Sequence, residues 1–396
     1  MPIDLDAYVE RRASHCAKWN WFDDDVIPMW VADMDFRSPD AVVTALKERA
    51  DHGIFGYPLP PASFKALLVE RMATRHHWTI LPEDIVFMPG LVLGLNLVSQ
   101  MIGAVGDAVL TLTPIYPPFL SAPTNQGRVL QTASMALRQD DGKRITYELD
   151  MDALEAAVTP QTKLFLLCNP HNPAGIAFSR HDLEQIADFC VRHDLIICSD
   201  EIHCDLLASG TEHISIATLS PEIAQRTITL LAPSKTFNIP GLKCSLAVVQ
   251  NPDLAKRLGE LVYGGGTGVN IMGFAGGEAA YRDGQEWLDN VLLYLQANRD
   301  TALAYLDEHL PSLKATCPQA TYLLWIDCRG LALPEGMAAQ TLFLERGRVA
   351  LSNGADFGAD GAGFVRLNYG TTREILLEGL GRMKAAVESL KVVVAG

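Results

Sequence analysis

Six short, almost unbroken apolar runs constrain this chain more than any other feature. They are IVFMP (85–89), AVLTLTP (108–114), KLFLLC (163–168), LIICS (195–199), TITLLAP (227–233) and SLAVVQ (245–250). A strand with one wet face alternates apolar and polar residues. Continuous apolar character requires burial on both faces. Helical patterns lie between these runs, for instance over 91–102 and over 179–193, where Ser179 stands at an N-cap position. Strands alternating with helices predict an α/β fold whose large domain has a mostly parallel sheet flanked by helices.

The texture changes near residue 284. A long helical pattern over 285–309 leads into strand-like TYLLWID (321–327), a helix near 337–345, strand-like VALSN (349–353) and FVRLNYG (364–370), and a last helix from 373. This reads as a smaller α+β domain over 284–396, following a large domain over 46–283. Residues 1–45, with WVADMDF (30–36), have no place in the main sheet and are expected to pack with the small domain and the active site.

Composition removes several function classes. The formal net charge is −15, whereas nucleic acids and anionic membranes call for clustered Lys and Arg. No apolar run approaches the roughly 20 residues that cross a bilayer. The N-terminus lacks a basic segment followed by an apolar one. The eight cysteines are scattered, and Cys168, Cys190 and Cys198 lie in or beside apolar runs, as small core residues of a reducing compartment do. A cytoplasmic protein is expected. Cys190, His193, Cys198, His203 and Cys204 fit no zinc-finger or ribbon spacing, so no metal is expected.

In open α/β sheets ligands bind at the carboxyl ends of the strands, so the residues that follow each run matter most. Gly90, Leu91 and Val92 open a helix after the first; Tyr116 follows the second; NPHNPAG (169–175) follows the third; Asp200 follows LIICS; Ser234 and Lys235 follow TITLLAP. Helix-start N–H groups at Leu91 and Val92, with Ser234, suit a phosphate; Lys243 either supplies the charge there or is an ordinary surface lysine. Lys235 is either a solvated lysine or a desolvated amine able to form a Schiff base. Asp200 is either a helix cap or the carboxylate that keeps a pyridinium nitrogen protonated. Tyr116 either stacks on a flat cofactor or fills the core. Arg366, inside an apolar strand, needs a carboxylate partner, internal or on a substrate.

NPHNPAG, SDEIH, APSKTFNIPGLK and FVRLN, in this order and spacing, resemble the fold type I pyridoxal-phosphate enzymes from about Trp30 to Arg366. Within that group WVADMDF, SDEIHCDL and SKTFNIPGL resemble the MalY/PatB-type cystathionine β-lyases, also called cysteine-S-conjugate β-lyases. The resemblance implies pyridoxal 5′-phosphate as cofactor and Lys235 as its Schiff-base lysine and catalytic base. It implies Asp200 at the ring nitrogen, Asn172 at the 3′-oxygen with His203 nearby, and Tyr116 on the ring face. Gly90, Leu91, Val92, Ser234 and Lys243 would hold the phosphate, together with Tyr57 reaching from a neighbouring subunit, which makes the protein a homodimer with shared sites. Arg366 would clamp the substrate α-carboxylate.

Two departures stand out. Lys243 occupies a position where many aminotransferases carry arginine. His203 stands where a tyrosine is usual, and a histidine is able to exchange protons near neutral pH. The implied reaction is β-elimination of cystathionine or related cysteine S-conjugates to a thiol, pyruvate and ammonia. An aminotransferase, or a regulatory protein keeping the fold, are the alternatives.

Overall fold

A computed structural model describes residues 4–140 and 142–393. Seven of its strands form one sheet, in the order Ile85–Met88, Ser245–Val248, Thr227–Leu231, Ile196–Asp200, Thr162–Cys168, Ala108–Thr113, Val129–Ser134. All run parallel except Ser245–Val248, which is antiparallel to both of its neighbours. The expected mostly parallel sheet is therefore present.

The continuous apolar runs have the predicted cause. In Thr162–Cys168, Leu164, Leu166 and Cys168 pack on one face with the helices Leu91–Met101 and Pro252–Gly264. Phe165 and Leu167 pack on the other with Arg180–Arg192. Each such leucine or phenylalanine removed from water contributes about 2 kcal/mol. Ser179 caps Arg180–Arg192 in a reciprocal box with Asp182. Leu91–Met101 lies tightly against the sheet at Gly94, where a Cβ would meet Met88 Sδ at 2.9 Å and Leu230 Cδ1 at 3.1 Å. That close approach fixes the start of the helix at the sheet edge.

A second sheet runs Ser352–Asn353, Phe364–Asn368, Leu323–Asp327, Lys314–Thr316, Arg144–Glu148, Ala136–Gln139. Its last two strands come from a hairpin early in the chain. Arg144–Glu148 alternates buried and exposed residues, as in a sheet with one wet face, and Ala136–Gln139 is half-buried to exposed, so neither carries the apolar continuity that marks the first sheet. VALSN splits between two pairings: Val349–Ala350 lies beside Ile27–Pro28, and Ser352–Asn353 joins Phe364–Asn368. Gln285–His309 is one helix. Among the described residues no helix is long and apolar enough to cross a membrane.

Candidate active site

The carboxyl ends of the parallel strands open into a cavity of about 560 Å³. Its wall includes Gly90, Leu91, Val92, Tyr116, Asn172, Asp200, His203, Ser234, Lys235 and Lys243, the residues expected from the strand ends. The antiparallel strand explains Lys243. Ser245–Val248 begins, rather than ends, at this edge, so the residues just before it enter the cavity.

One end of the cavity is built for an anion. Gly90 is the N-cap of Leu91–Met101 and offers no capping side chain. Nothing lies within 4 Å of the point a Cβ would occupy there. The first N–H groups of a helix have no partner inside it, and here they start at the cavity wall with Ser234 and Lys243 beside them. Ser245, also in the wall, is fixed by its Oγ donating to Met88 O at 2.8 Å.

Elsewhere the wall carries a carboxylate and an amine. Asp200 ends the central strand and is buried. Among the described residues its side chain accepts one hydrogen bond, from Ile202 N–H at 3.1 Å. Burial raises its pKa to about 7, against the lowering effects of that bond and of Lys235. So poorly compensated a carboxylate suits a cationic N–H donor on a bound group. Lys235 follows the adjacent strand. Burial brings its pKa down to about 8, and Arg366 and Lys243 act in the same direction while Asp33 and Asp200 oppose. Its Nζ donates to the Ala32 carbonyl. An amine titrating near 8 is about one-tenth neutral at pH 7, where an ordinary lysine is neutral to about one part in three thousand.

Tyr116 N–H donates to Asn172 O at 3.1 Å, which ties two strand-end turns together. Arg366 lies just behind the wall. Its NH1 donates to Asn172 Oδ1 at 3.0 Å and its NH2 to Trp30 O at 2.9 Å. Its Nε is buried without a partner, and among the described residues no carboxylate pairs with it. Burial lowers its pKa to about 10, which leaves it charged at neutral pH. Burial, then Lys235 and Arg366, push the His203 pKa down to about 3, which favours the neutral ring at physiological pH. Its Nδ1 has no partner, and its ring meets Tyr322 edge-on.

Tyr57 is not brought into this cavity. It stands fully exposed on an irregular stretch with Ile54, Phe55 and Leu59, also exposed. The sequence reading missed Ala32, whose carbonyl meets Lys235, and Ser352 and Asn368, which hold the segment carrying it. WVADMDF was the available signal. A backbone carbonyl, however, has no residue type by which to single it out.

The aminotransferase class I and II family matches residues 24–383. Cystathionine beta-lyase PatB of Bacillus subtilis (strain 168) is 39% identical over 394 residues, covering 97% of this chain and 100% of that protein. Among solved structures, one described as OvoB is 41% identical, with a TM-score of 0.90 and coverage of 98% of this chain and 99% of its own. Cystalysin from Treponema denticola, described as containing a pyridoxal 5′-phosphate cofactor, is 30% identical, with a TM-score of 0.92 and coverage of 98% and 100%.

Proposed function

The chain belongs to the aminotransferase class I and II family, and on that premise we propose that it is a pyridoxal-phosphate-dependent carbon–sulfur β-lyase acting on cystathionine or related cysteine S-conjugates. The observation that carries the reading is the pairing of an under-compensated Asp200 with a depressed Lys235 in one cavity whose other end is an anion cradle. The relatives named for this chemistry, matched along nearly their whole length, support it.

The site fits the cofactor by its donors. The amides of Gly90, Leu91 and Val92 with Ser234 and Lys243 would hold its phosphate, Asp200 its ring nitrogen, Asn172 and His203 the region of its 3′-oxygen, and Tyr116 its ring face. When bound, pyridoxal phosphate supplies a conjugated ring that takes up the electron pair left when Cα loses its proton. Arg366 orients the amino acid through its α-carboxylate. Lys235 Nζ takes the Cα proton as general base. The Cβ–S bond then breaks with its electron pair on sulfur, and overall one S-conjugate and one water give a thiol, pyruvate and ammonia.

The protein acts as a homodimer in this proposal. Exposed Ile54, Phe55, Tyr57 and Leu59 support it, since contiguous apolar side chains mark association surfaces; Tyr57 would then reach the partner's phosphate site. Eight unpaired cysteines support a cytoplasmic setting. The working division is 1–45, 46–283 and 284–396, with the hairpin of Ala136–Gln139 and Arg144–Glu148 lent to the second sheet.

The test is incubation with L-cystathionine and pyridoxal phosphate without a 2-oxo acid, following pyruvate and free thiol together. Sustained, equal release is expected. Activity that appears only on adding a 2-oxo acid means an aminotransferase; cofactor binding with no turnover of any amino acid means a regulatory protein.

A further inference from the structure

Between Ile27–Pro28 and the helix Asp40–Asp51 the chain has no regular structure, yet it passes directly over the site. Its carbonyls meet active-site donors one after another. Trp30 O accepts from Arg366 NH2 at 2.9 Å and Ser352 Oγ at 2.8 Å. Ala32 O accepts from Lys235 Nζ and from Tyr322 OH, the latter at 3.0 Å. Asn368 Nδ2 bridges Val31 O and Asp33 O, both at 2.7 Å. A segment with no helix or sheet ladder leaves much of its backbone to be satisfied by side chains.

Here the fixing groups are charged. Lys18, with 1% of its side chain exposed, reaches Asp35 Oδ2 at 2.7 Å and Asp33 O at 3.1 Å. Arg11 bridges the two acids, from NH1 to Asp35 Oδ1 at 2.6 Å and from NH2 to Asp33 Oδ2 at 2.7 Å. Trp19 Nε1 donates to Asp35 Oδ1 at 2.8 Å. Burial would raise the Asp35 pKa, but Lys18 and Arg11 outweigh it and keep the carboxyl ionised. A buried ion pair is a poor stabiliser compared with apolar packing. This one is set at the segment whose backbone touches Arg366 and Lys235.

We propose that Lys18 and Arg11 are positioning residues for the amino-acid carboxylate: by clasping Asp33 and Asp35 they hold residues 30–33 so that the Trp30 carbonyl sets the guanidinium of Arg366. The inference rests on Arg366 receiving that carboxylate, as in the function proposed above.

The test uses Lys18→Met, Arg11→Gln and the charge-keeping Lys18→Arg. In the cofactor-free protein, hydrogen exchange of the Asp35 amide, which bonds Gly370 O at 2.9 Å, is expected to accelerate in the first two variants and not in the third. On the cofactor-loaded protein, binding of L-alanine and of L-alaninamide is read from the cofactor absorbance. Affinity for alanine is expected to fall about tenfold in Lys18→Met and Arg11→Gln, and affinity for the amide, which has no carboxylate, less than about twofold. Equal losses for both ligands would overturn the proposal in favour of a purely structural clasp, and so would an unchanged alanine affinity. Should Lys18→Met fail to fold, the more accessible Arg11→Gln decides. The readout is amino-acid binding, so a protein that bound alanine but never broke a C–S bond would refute the lyase reading and leave this result standing.

Discussion

Arg366 NH1 and Asn172 Oδ1 meet at 3.0 Å, joining residues 194 positions apart. The bond ties the second sheet to a strand-end turn of the first, so the group proposed for substrate recognition is oriented by one proposed for the cofactor. Replacing Arg366 by Lys keeps a charge but loses the planar fork. KM for the amino acid is expected to rise on the order of a hundredfold, with a smaller change in kcat. Steady-state kinetics on both proteins check this, and an unchanged KM would place the carboxylate elsewhere.

Lys235→Ala is expected to abolish elimination while the protein still folds, since it removes a partly desolvated amine and Asp33 keeps its bond to Arg11. Borohydride treatment should no longer fix the cofactor to the chain. In the wild type, the rate at which cofactor-free protein captures pyridoxal phosphate should rise with pH up to about 8 and then level, because only the neutral amine reacts. A rate still climbing at the ordinary lysine pKa would contradict the depressed value.

Asp200 makes the cofactor-free protein sensitive to pH in a defined direction. Its folded pKa is raised to about 7, while an unfolded chain releases the same proton near 3.9. Between these values the folded state binds more protons. This group's contribution to stability therefore falls as pH rises from about 4 to about 7, and the loss is complete above that range. Asp200→Asn removes the slope. Denaturant unfolding of both proteins should agree near pH 4 and differ by a few kcal/mol at pH 8, in favour of Asn. Parallel stability curves would mean Asp200 is not desolvated.

Tyr57 lends itself to a complementation experiment. Tyr57→Ala and Lys235→Ala homodimers should each be impaired. In a mixed dimer, one site would receive an intact Lys235 from one chain and an intact Tyr57 from the other, so mixing after mild dissociation should restore part of the activity. Failure to regain any, with exchange of subunits verified by mass, would remove Tyr57 from the shared site.

His203→Gln should leave the midpoints of the kcat pH profile between 5 and 8 unmoved, because the ring is already neutral throughout that range. A displaced midpoint would restore the histidine as a proton-exchanging group.

The strand-end residues were legible in advance for a specific reason. Runs such as KLFLLC and TITLLAP are buried on both faces, so polar chemistry is excluded from their length and emerges where they end. Asp200, Ser234 and Lys235 follow from that rule, as do the helix start at Gly90 and the turn NPHNPAG; Asn172 within that turn was named only by the family resemblance. The Ala136–Gln139 and Arg144–Glu148 hairpin escaped it. The alternation of Arg144–Glu148 marks a half-wet sheet, and nothing local says which sheet the hairpin joins.

By itself, then, the sequence determined the parallel sheet, the edge at which the chemistry gathers and the residue types gathered there, because these depend on patterns within a few residues. The tertiary structure decided how those residues behave. The proton of His203, the depressed amine of Lys235, the bond from Arg366 to Asn172 and the clasp of Lys18 on Asp35 all depend on burial and on contacts between distant segments. Desolvation and charge act through space, and neither has a signature in the order of residues along the chain.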